Sequence, residues 1–131
     1  MPSQNVLLQA QETHAIRRIL TVVPIWDYTA PMRVIAKRVL LAFCDKHPIA
    51  RQSLLAWHEE AVKAAWMTPQ DIKARYPTAS FVGRNRVIFN IKGNDYRLIV
   101  AVAYRIGVVY IKFIGTHGDY DRIDAETVEL E

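Results

Sequence analysis

The stretch RVIFNIKGNDYRLIVAVAYR, residues 86–105, decides the fold. Its first part, Arg86 to Ile91, is apolar and β-branched, which is typical of a strand. The turn residues KGND follow at 92–95, and Tyr96 to Arg105 then alternates with a period of two. Two such runs joined by a short turn predict an antiparallel hairpin.

A third strand extends this hairpin into a meander. Ile106 and Gly107 form a second tight turn, and Val108 to Ile114 reads as the next strand. Its alternation predicts that one set of side chains faces a core and that the set between them faces away. The core-facing set is Val109, Ile111 and Phe113, and the opposite set is Tyr110 and Lys112.

Helical periodicity dominates the chain before residue 80. After a short strand near residues 33–36, helices are predicted over 37–47 and 49–66, with Trp57 and Trp66 in the core. Thr68 and Pro69 predict the start of a short third helix, which Pro77 ends. The order of strand, two helices, short helix and meander indicates an α+β fold, with the helices packed on one face of a curved antiparallel sheet.

Composition narrows the class of protein. A chain of 131 residues with 51% hydrophobic and 23% charged residues is typical of one globular domain and excludes bulk disorder. The single cysteine, Cys44, excludes an internal disulfide and favours a reducing cytoplasm. No apolar run approaches the ~20 residues that span a bilayer, so the sequence predicts no membrane association.

Residues 1–31 differ from the rest. Their apolar run from Ile19 to Trp26 is short, is broken by Pro24 and lacks a signal-peptide cleavage site. The candidate boundary lies at Met32, so we expect an N-terminal extension over 1–31 and a folded domain over 32–131.

Positive charge is concentrated in the meander. Residues 84–112 hold six basic side chains and a single acid, Asp95. Such a patch indicates a polyanion or an acidic protein as partner, and a solvated sheet face is the alternative.

Two residues in this region point to chemistry. His117 lies between Gly115 and Gly118, just after the last strand, where a histidine can exchange protons. The alternative is a turn histidine capped by Asp119 or Asp121. Arg97 lies in the middle of a strand, where a guanidinium needs a ligand or a paired carboxylate. The sequence carries no Gly-rich phosphate loop and no metal-ligand spacing, so no cofactor and no metal are predicted.

Three blocks together resemble one family. They are RVIFNIKGNDYRL at 86–98, GTHGDYD at 115–121 and DIKARYP at 71–77. In order and spacing they are similar to the hallmarks of the HigB toxins, and the resemblance covers about residues 32–131.

The resemblance implies a RelE-like fold and the toxin of a type II toxin–antitoxin module. Such toxins are metal-independent mRNA endoribonucleases that cleave codons in the ribosomal A site and so inhibit translation. The implied partners are mRNA, the ribosome and a HigA-like helix-turn-helix antitoxin, with operator DNA bound only through the antitoxin complex. The implied location is cytoplasmic.

The resemblance also assigns roles to residues. His117 is the expected acid–base residue, Arg97 the group that stabilises the phosphate, and Tyr120 an aid to proton transfer. Residues expected to bind RNA are Arg86, Asn90, Lys73, Arg84 and Lys112.

The N-terminal extension departs from the family, whose chains begin near the equivalent of Met32. Residues 1–31 therefore reflect either a start codon assigned too early, with the segment absent or disordered in cells, or an extension that packs on the sheet or contacts a partner.

Two alternatives to a ribonuclease stay open. A ParE-like toxin would share the fold and bind DNA gyrase without cutting RNA, but it has no use for a proton-exchanging His117. A non-catalytic RNA- or ribosome-binding module would use exposed aromatic residues among the basic strands. Tyr96, Tyr104 and Tyr110 are candidates, although packing in the strands also explains them.

Overall fold

The computed structural model describes residues 32–130, so the predicted extension over 1–31 lies outside the described residues. A 3₁₀ turn, Pro48–Ala50, precedes the second helix. The helices are α1 (Lys37–Lys46), α2 (Arg51–Lys63), α3 (Pro69–Arg75) and α4 (His117–Tyr120). The strands are β1 (Arg33–Ile35), β2 (Ser80–Val82), β3 (Arg86–Ile91), β4 (Tyr96–Ala103) and β5 (Val108–Thr116).

The sheet has five strands in the order β1-β5-β4-β3-β2. Strands β3 to β5 form the predicted antiparallel meander, and β2, which was not predicted, extends it at one edge. Strand β1 runs parallel to β5. The predicted α+β architecture is confirmed, with the correction that the sheet is mixed. Parallel pairing requires a long crossover, and here helices and three antiparallel strands separate β1 from β5 along the chain.

The helices form where their sequence is amphipathic. In α2 the residues Leu54, Trp57 and Ala61 recur on one face and are buried. The 3₁₀ turn at Pro48 delays this helix, which begins two residues later than predicted and ends at Lys63. Helix α3 starts at a capping box between Thr68 and Asp71, as the sequence indicated.

The main core lies between the helices and one face of the sheet. Buried helix residues such as Leu40, Leu54 and Ile72 pack with strand residues such as Leu98 and Val100. Trp57 and Trp66 are both buried, as predicted.

A β-bulge changes which residues of β5 face this core. Ile99 pairs with Phe113 but Val100 pairs with Ile111, which leaves Lys112 as the extra residue. The bulge shifts the alternation, so that Ile114 packs against the core and Phe113 lies outside it. The prediction that Phe113 faces the core was therefore wrong.

The C-terminal segment lies against the other face of the sheet. On that face the buried Arg86 donates to the carbonyls of Ala125 and Val128. Ile88 and Ile99 share the same face and are also buried. One face of the sheet therefore carries the helices, while the other carries residues 124–130 at one end and stays open at the other for the candidate site.

Candidate functional site

Three residues in a row across the sheet form the base of the candidate site. Arg97 of β4 pairs with Asn90 of β3 on one side and with Gly115 of β5 on the other. Residues directly opposite one another project to the same face, so Arg97 and Asn90 share the face away from the helices. The predicted phosphate-binding arginine and one predicted RNA-binding residue are thus neighbours.

The Arg97 side chain is buried and held in one position. Its Nη1 donates to the carbonyl oxygens of Asn94, at 2.9 Å, and Tyr96, at 3.3 Å. Its Nη2 lies 3.0 Å from Nδ1 of His117. In the described part of the chain Arg97 makes no ion pair, so the alternative of a paired carboxylate is wrong.

A one-turn helix, not the predicted turn, presents His117. The Thr116 hydroxyl accepts from the backbone N–H of Asp119, and the Asp119 carboxylate accepts from the backbone N–H of Thr116. These two bonds form a capping box. The hydrogen bonds of the Thr116 backbone and side chain to the Asp119 carboxylate hold its pKa below the ordinary value. The backbone N–H of His117 also donates to the Asp95 carbonyl, which ties the helix to the β3–β4 turn.

The contact with Arg97 decides the form of the His117 imidazole. Because a guanidinium only donates, this hydrogen bond forms in the tautomer in which Nδ1 accepts and Nε2 carries the proton. Nε2 lies 3.6 Å from Oδ2 of Asp121, and the side chain is 52% exposed. The site thus offers a fixed positive charge beside a solvent-accessible imidazole.

Tyr120 completes the cluster. The Arg97 guanidinium carbon lies 5.5 Å from the centroid of the Tyr120 ring, a distance typical of a cation–π contact. The structure therefore brings together all three residues for which the sequence predicted a catalytic role, His117, Arg97 and Tyr120.

Two of the predicted RNA-binding residues, Arg86 and Lys112, form ion pairs with the C-terminal segment. Nη2 of Arg86 lies 2.7 Å from one carboxylate oxygen of Glu129, and Nζ of Lys112 lies 2.8 Å from the other. Arg86 is only 3% exposed and sits about 13 Å along β3 from Asn90. Its hydrogen bonds to Ala125, Val128 and Glu129 show that Arg86 holds the C-terminal segment against the sheet.

The other two predicted RNA-binding residues, Lys73 and Arg84, lie away from Asn90 and Arg97. Nζ of Lys73 donates to the Ala79 carbonyl at 2.8 Å, beside the start of β2 at the edge of the sheet. Arg84 is exposed in the β2–β3 turn with a φ of 65°. No contact among the described residues joins either side chain to Arg97 or His117.

A role for Gly115 was not predicted from the sequence. A Cβ at this position would lie 2.5 Å from Cζ of Phe113 and 3.0 Å from Cβ of Asp119. A glycine inside a strand often marks such a close approach, and that was the available signal.

The described residues contain neither a group of side chains suited to a metal ion nor a helix suited to cross a membrane. No three His, Cys, Asp or Glu side chains there are grouped as a metal site would require. None of the described helices has both the length and the apolar character needed to cross a bilayer.

Comparison with known proteins supports the resemblance. Residues 50–123 match the sequence model of the HigB toxin family, described as the RelE-like toxic component of a toxin–antitoxin system. The mRNA interferase toxin HigB of Escherichia coli (strain K12) is 27% identical over 93 residues, which cover 69% of this chain and 88% of the relative. The proteins named mRNA interferase HigB from Escherichia coli O157:H7 and Shigella flexneri match with the same identity and coverage.

The family match contains the whole cluster around Arg97. It extends from the start of α2, through the sheet, to the end of α4, and so includes Asn90, Arg97, His117 and Tyr120. Since the match covers more than half of the chain and the fold is RelE-like, the chain belongs to the HigB family of toxins from toxin–antitoxin systems.

Proposed function

We propose that this protein is an mRNA endoribonuclease that inhibits translation as the toxin of its module. The carrying observation is the contact between Arg97 and His117, which places a fixed positive charge and a proton-exchanging group side by side on an open part of the sheet. The names of the relatives, mRNA interferases, agree with this activity.

The proposed reaction uses the RNA's own 2′-hydroxyl as nucleophile. The scissile phosphate binds the Arg97 guanidinium and takes over the donor that now faces Nδ1 of His117. The freed Nδ1 accepts the proton of the 2′-hydroxyl, and the 2′-oxygen attacks phosphorus. Arg97 stabilises the added negative charge in the transition state.

Tyr120 is the proposed source of the second proton. The bond from phosphorus to the 5′-oxygen breaks as the Tyr120 hydroxyl donates its proton to that oxygen. The products are a 2′,3′-cyclic phosphate and a free 5′-hydroxyl, and His117 later returns its proton through water to Tyr120. In this scheme Arg97 and His117 supply the charge and the base, so no metal ion is required.

The proposed setting is the ribosome in the cytoplasm, where mRNA codons are presented. Membership of a toxin–antitoxin family implies an antitoxin partner. We propose that this antitoxin is a HigA-like helix-turn-helix protein and that operator DNA is bound only through their complex. Co-expression with the antitoxin encoded beside the toxin should restore growth, and continued arrest would contradict this pairing.

Primer extension on a reporter mRNA after brief induction tests the nuclease activity. The wild type should cut within translated codons, and His117→Ala should lose at least ~100-fold of this cleavage. His58→Gln is the matched control, because His58 lies on α2, away from the cluster. Growth arrest without cuts would instead favour a ParE-like or ribosome-binding toxin. Repeating the reaction with purified mRNA, with and without ribosomes and with EDTA, tests the ribosome and metal requirements.

A further inference from the structure

A cavity of about 280 Å³ lies at the open edge of the sheet, outside the cluster around His117. Strand β2 pairs only with residues 86–88, so the last part of β3 has no strand on its outer side. Helix α2 and the end of α3 pack there instead and enclose the cavity. Its lining includes Ser53, Trp57, Glu60, Arg75, Tyr76 and Asn90.

The cavity contains a carboxylate that is held in place. Glu60 accepts hydrogen bonds from the Tyr76 hydroxyl and from the Arg75 guanidinium. The Tyr76 hydrogen bond is the main reason that the pKa of Glu60 lies below its ordinary value, and Arg75 adds to the effect. The cavity therefore presents an oriented hydrogen-bond acceptor with negative charge.

The floor of the cavity is aromatic. The ring of Phe89 lies 5.4 Å from that of Trp57 and 5.0 Å from that of Tyr76, both edge to face. The Arg75 guanidinium carbon lies 5.2 Å from the Tyr76 ring centroid. Trp57 is 3% exposed, and its indole N–H has no partner among the described residues. Phe89 is also buried, so the flat surfaces open to a ligand are the half-buried Tyr76 ring and the exposed Arg75 guanidinium, and splayed RNA bases stack on surfaces of this kind.

The cavity adjoins the proposed cleavage site. Asn90 both lines the cavity and pairs directly with Arg97 on the next strand. At this end of the sheet β3 is the edge strand, so an RNA strand that passes from Arg97 over this edge reaches the mouth of the cavity beside Asn90. Because the Glu60 carboxylate would repel a phosphate, the part of a nucleotide that suits this cavity is the base.

We propose that this cavity binds one base of the RNA substrate beside the scissile phosphate and selects bases that carry an exocyclic amino group. The Glu60 carboxylate accepts from that amino group, while the Tyr76 ring and the Arg75 guanidinium contact the face of the base. Adenine, cytosine and guanine carry such a group and uracil does not. The proposal rests on the proposed function and adds a sequence preference to it.

Binding of non-cleavable RNA tests the cavity without depending on catalysis. Fluorescently labelled 2′-O-methyl oligonucleotides that differ only in the base at one position are titrated by anisotropy, with each position varied in turn. At one position the wild type should bind A, C or G about tenfold more tightly than U, the effect of one well-placed hydrogen-bonded base contact. Glu60→Ala should abolish this preference and leave the affinity for U unchanged.

Two matched pairs of variants separate the cavity from general effects. Glu59→Ala changes the neighbouring exposed carboxylate, which contacts Lys63 and does not line the cavity, so its preference should be that of the wild type. Ala56→Leu fills the cavity from an exposed position and should also abolish the preference. Gln52→Leu places the same side chain at an exposed position of α2 that does not line the cavity, so this variant should keep the base preference.

Each outcome decides the proposal. Equal affinity of the wild type for all four bases at every position, or no binding of any oligonucleotide, overturns it, even if reporter mRNA is cut. A preference that survives both Glu60→Ala and Ala56→Leu overturns it too. If Ala56→Leu lost antitoxin binding but kept the base preference, the proposal would be overturned, because the cavity would then bind a segment of the antitoxin and not an RNA base. A wild type that shows the preference but cuts no mRNA would support the cavity and refute the nuclease.

Discussion

The Arg97 guanidinium donates a hydrogen bond from Nη2 to Nδ1 of His117 across 3.0 Å. This bond joins the start of β4 to helix α4, which follows β5. The same guanidinium is fixed by the carbonyls of Asn94 and Tyr96. One planar group therefore binds the β3–β4 turn and orients the imidazole. This geometry explains how the arginine is buried within the sheet without a carboxylate partner among residues 32–130.

Lysine should not replace Arg97, although it keeps the charge. An ammonium on a flexible stem lacks the planar fork that contacts two carbonyls and His117 together. We expect Arg97→Lys to lower kcat/KM for RNA cleavage by about 10²-fold or more, the effect of losing a preorganised donor to a developing negative charge. Arg105→Lys, at an exposed position after β4, is the control.

NMR of the His117 ring detects the loss of the Arg97 contact independently of cleavage activity. In the wild type, ¹⁵N NMR should show neutral His117 with its proton on Nε2, and Arg97→Lys should mix the two tautomers. An unchanged tautomer together with wild-type cleavage would show that the contact has no part in the reaction.

Arg86 should contribute to stability and not to RNA binding. It is buried and donates to two carbonyls and one carboxylate of the C-terminal segment. Arg86→Met keeps most of the side-chain volume but removes these bonds, so the free energy of unfolding in urea should fall by about 2 kcal/mol. Arg105→Met should change it little. Cleavage per folded molecule should stay near wild type, and a large loss there would restore the predicted RNA-binding role.

The sequence predicted the parts of the site that depend on local pattern. Adjacent strands of a meander place Arg97 near the end of β5, and the spacing of His117 and Tyr120 puts both on one short helix. Turn residues and alternation therefore predicted that the strands are adjacent, but they did not predict that the side chains of Arg97 and His117 meet or that a helix presents His117. The bulge at Lys112 could not be predicted, because one extra residue leaves no distinct pattern in an apolar strand.

Contacts between segments far apart in the chain explain the other differences. Arg86 and Glu129 are 43 residues apart, and their pairing depends on how residues 124–130 fold back over the sheet. The cavity around Glu60 likewise exists only once α2 and α3 pack at the edge of β3. The family resemblance assigned Arg86 to RNA binding, whereas in the structure the carboxylate of Glu129 pairs with it.

Asp119 should make stability depend on pH. Its pKa is lowered mainly by the hydrogen bonds of Thr116, so the carboxylate stabilises the folded state above the ordinary Asp range and loses that effect as pH falls through the lowered pKa. Asp119→Asn should cost about 0.5 kcal/mol at pH 7, a small value because solvent screens this half-exposed group. The difference from the wild type should begin to shrink as pH falls below the ordinary value of 3.8, and it should vanish once the pH is below the lowered pKa.

Urea denaturation at several pH values measures this effect. Asp45→Asn, on the exposed side of α1, provides the control, because its carboxylate has only a 3.6 Å contact with Arg51 in solvent. A constant difference between wild type and Asp119→Asn from pH 7 to pH 3 would show that the charge of Asp119 does not stabilise α4.

Gly115 and Gly118 offer a matched test of how closely the site is packed. A methyl group at Gly115 would meet the edge of the Phe113 ring at 2.5 Å, whereas the nearest atom to a methyl at Gly118 is the Thr116 hydroxyl oxygen at 3.9 Å. Both glycines flank His117, but only Gly115 pairs with Arg97. The two Gly→Ala changes therefore add the same atom on either side of the histidine, but they differ in the space that receives it and in the element, β5 for Gly115 and α4 for Gly118.

Gly115→Ala should lower the free energy of unfolding by about 1–3 kcal/mol, as overpacking does, and should reduce kcat/KM because Phe113 or the start of α4 must move. Gly118→Ala should leave cleavage unchanged and raise stability slightly, since alanine favours a helix over glycine. Both are measured by urea denaturation and by cleavage of one RNA substrate. If Gly115→Ala folds and cuts like the wild type, the close approach is not needed to position His117 against Arg97, and the rigid geometry proposed for the reaction is refuted.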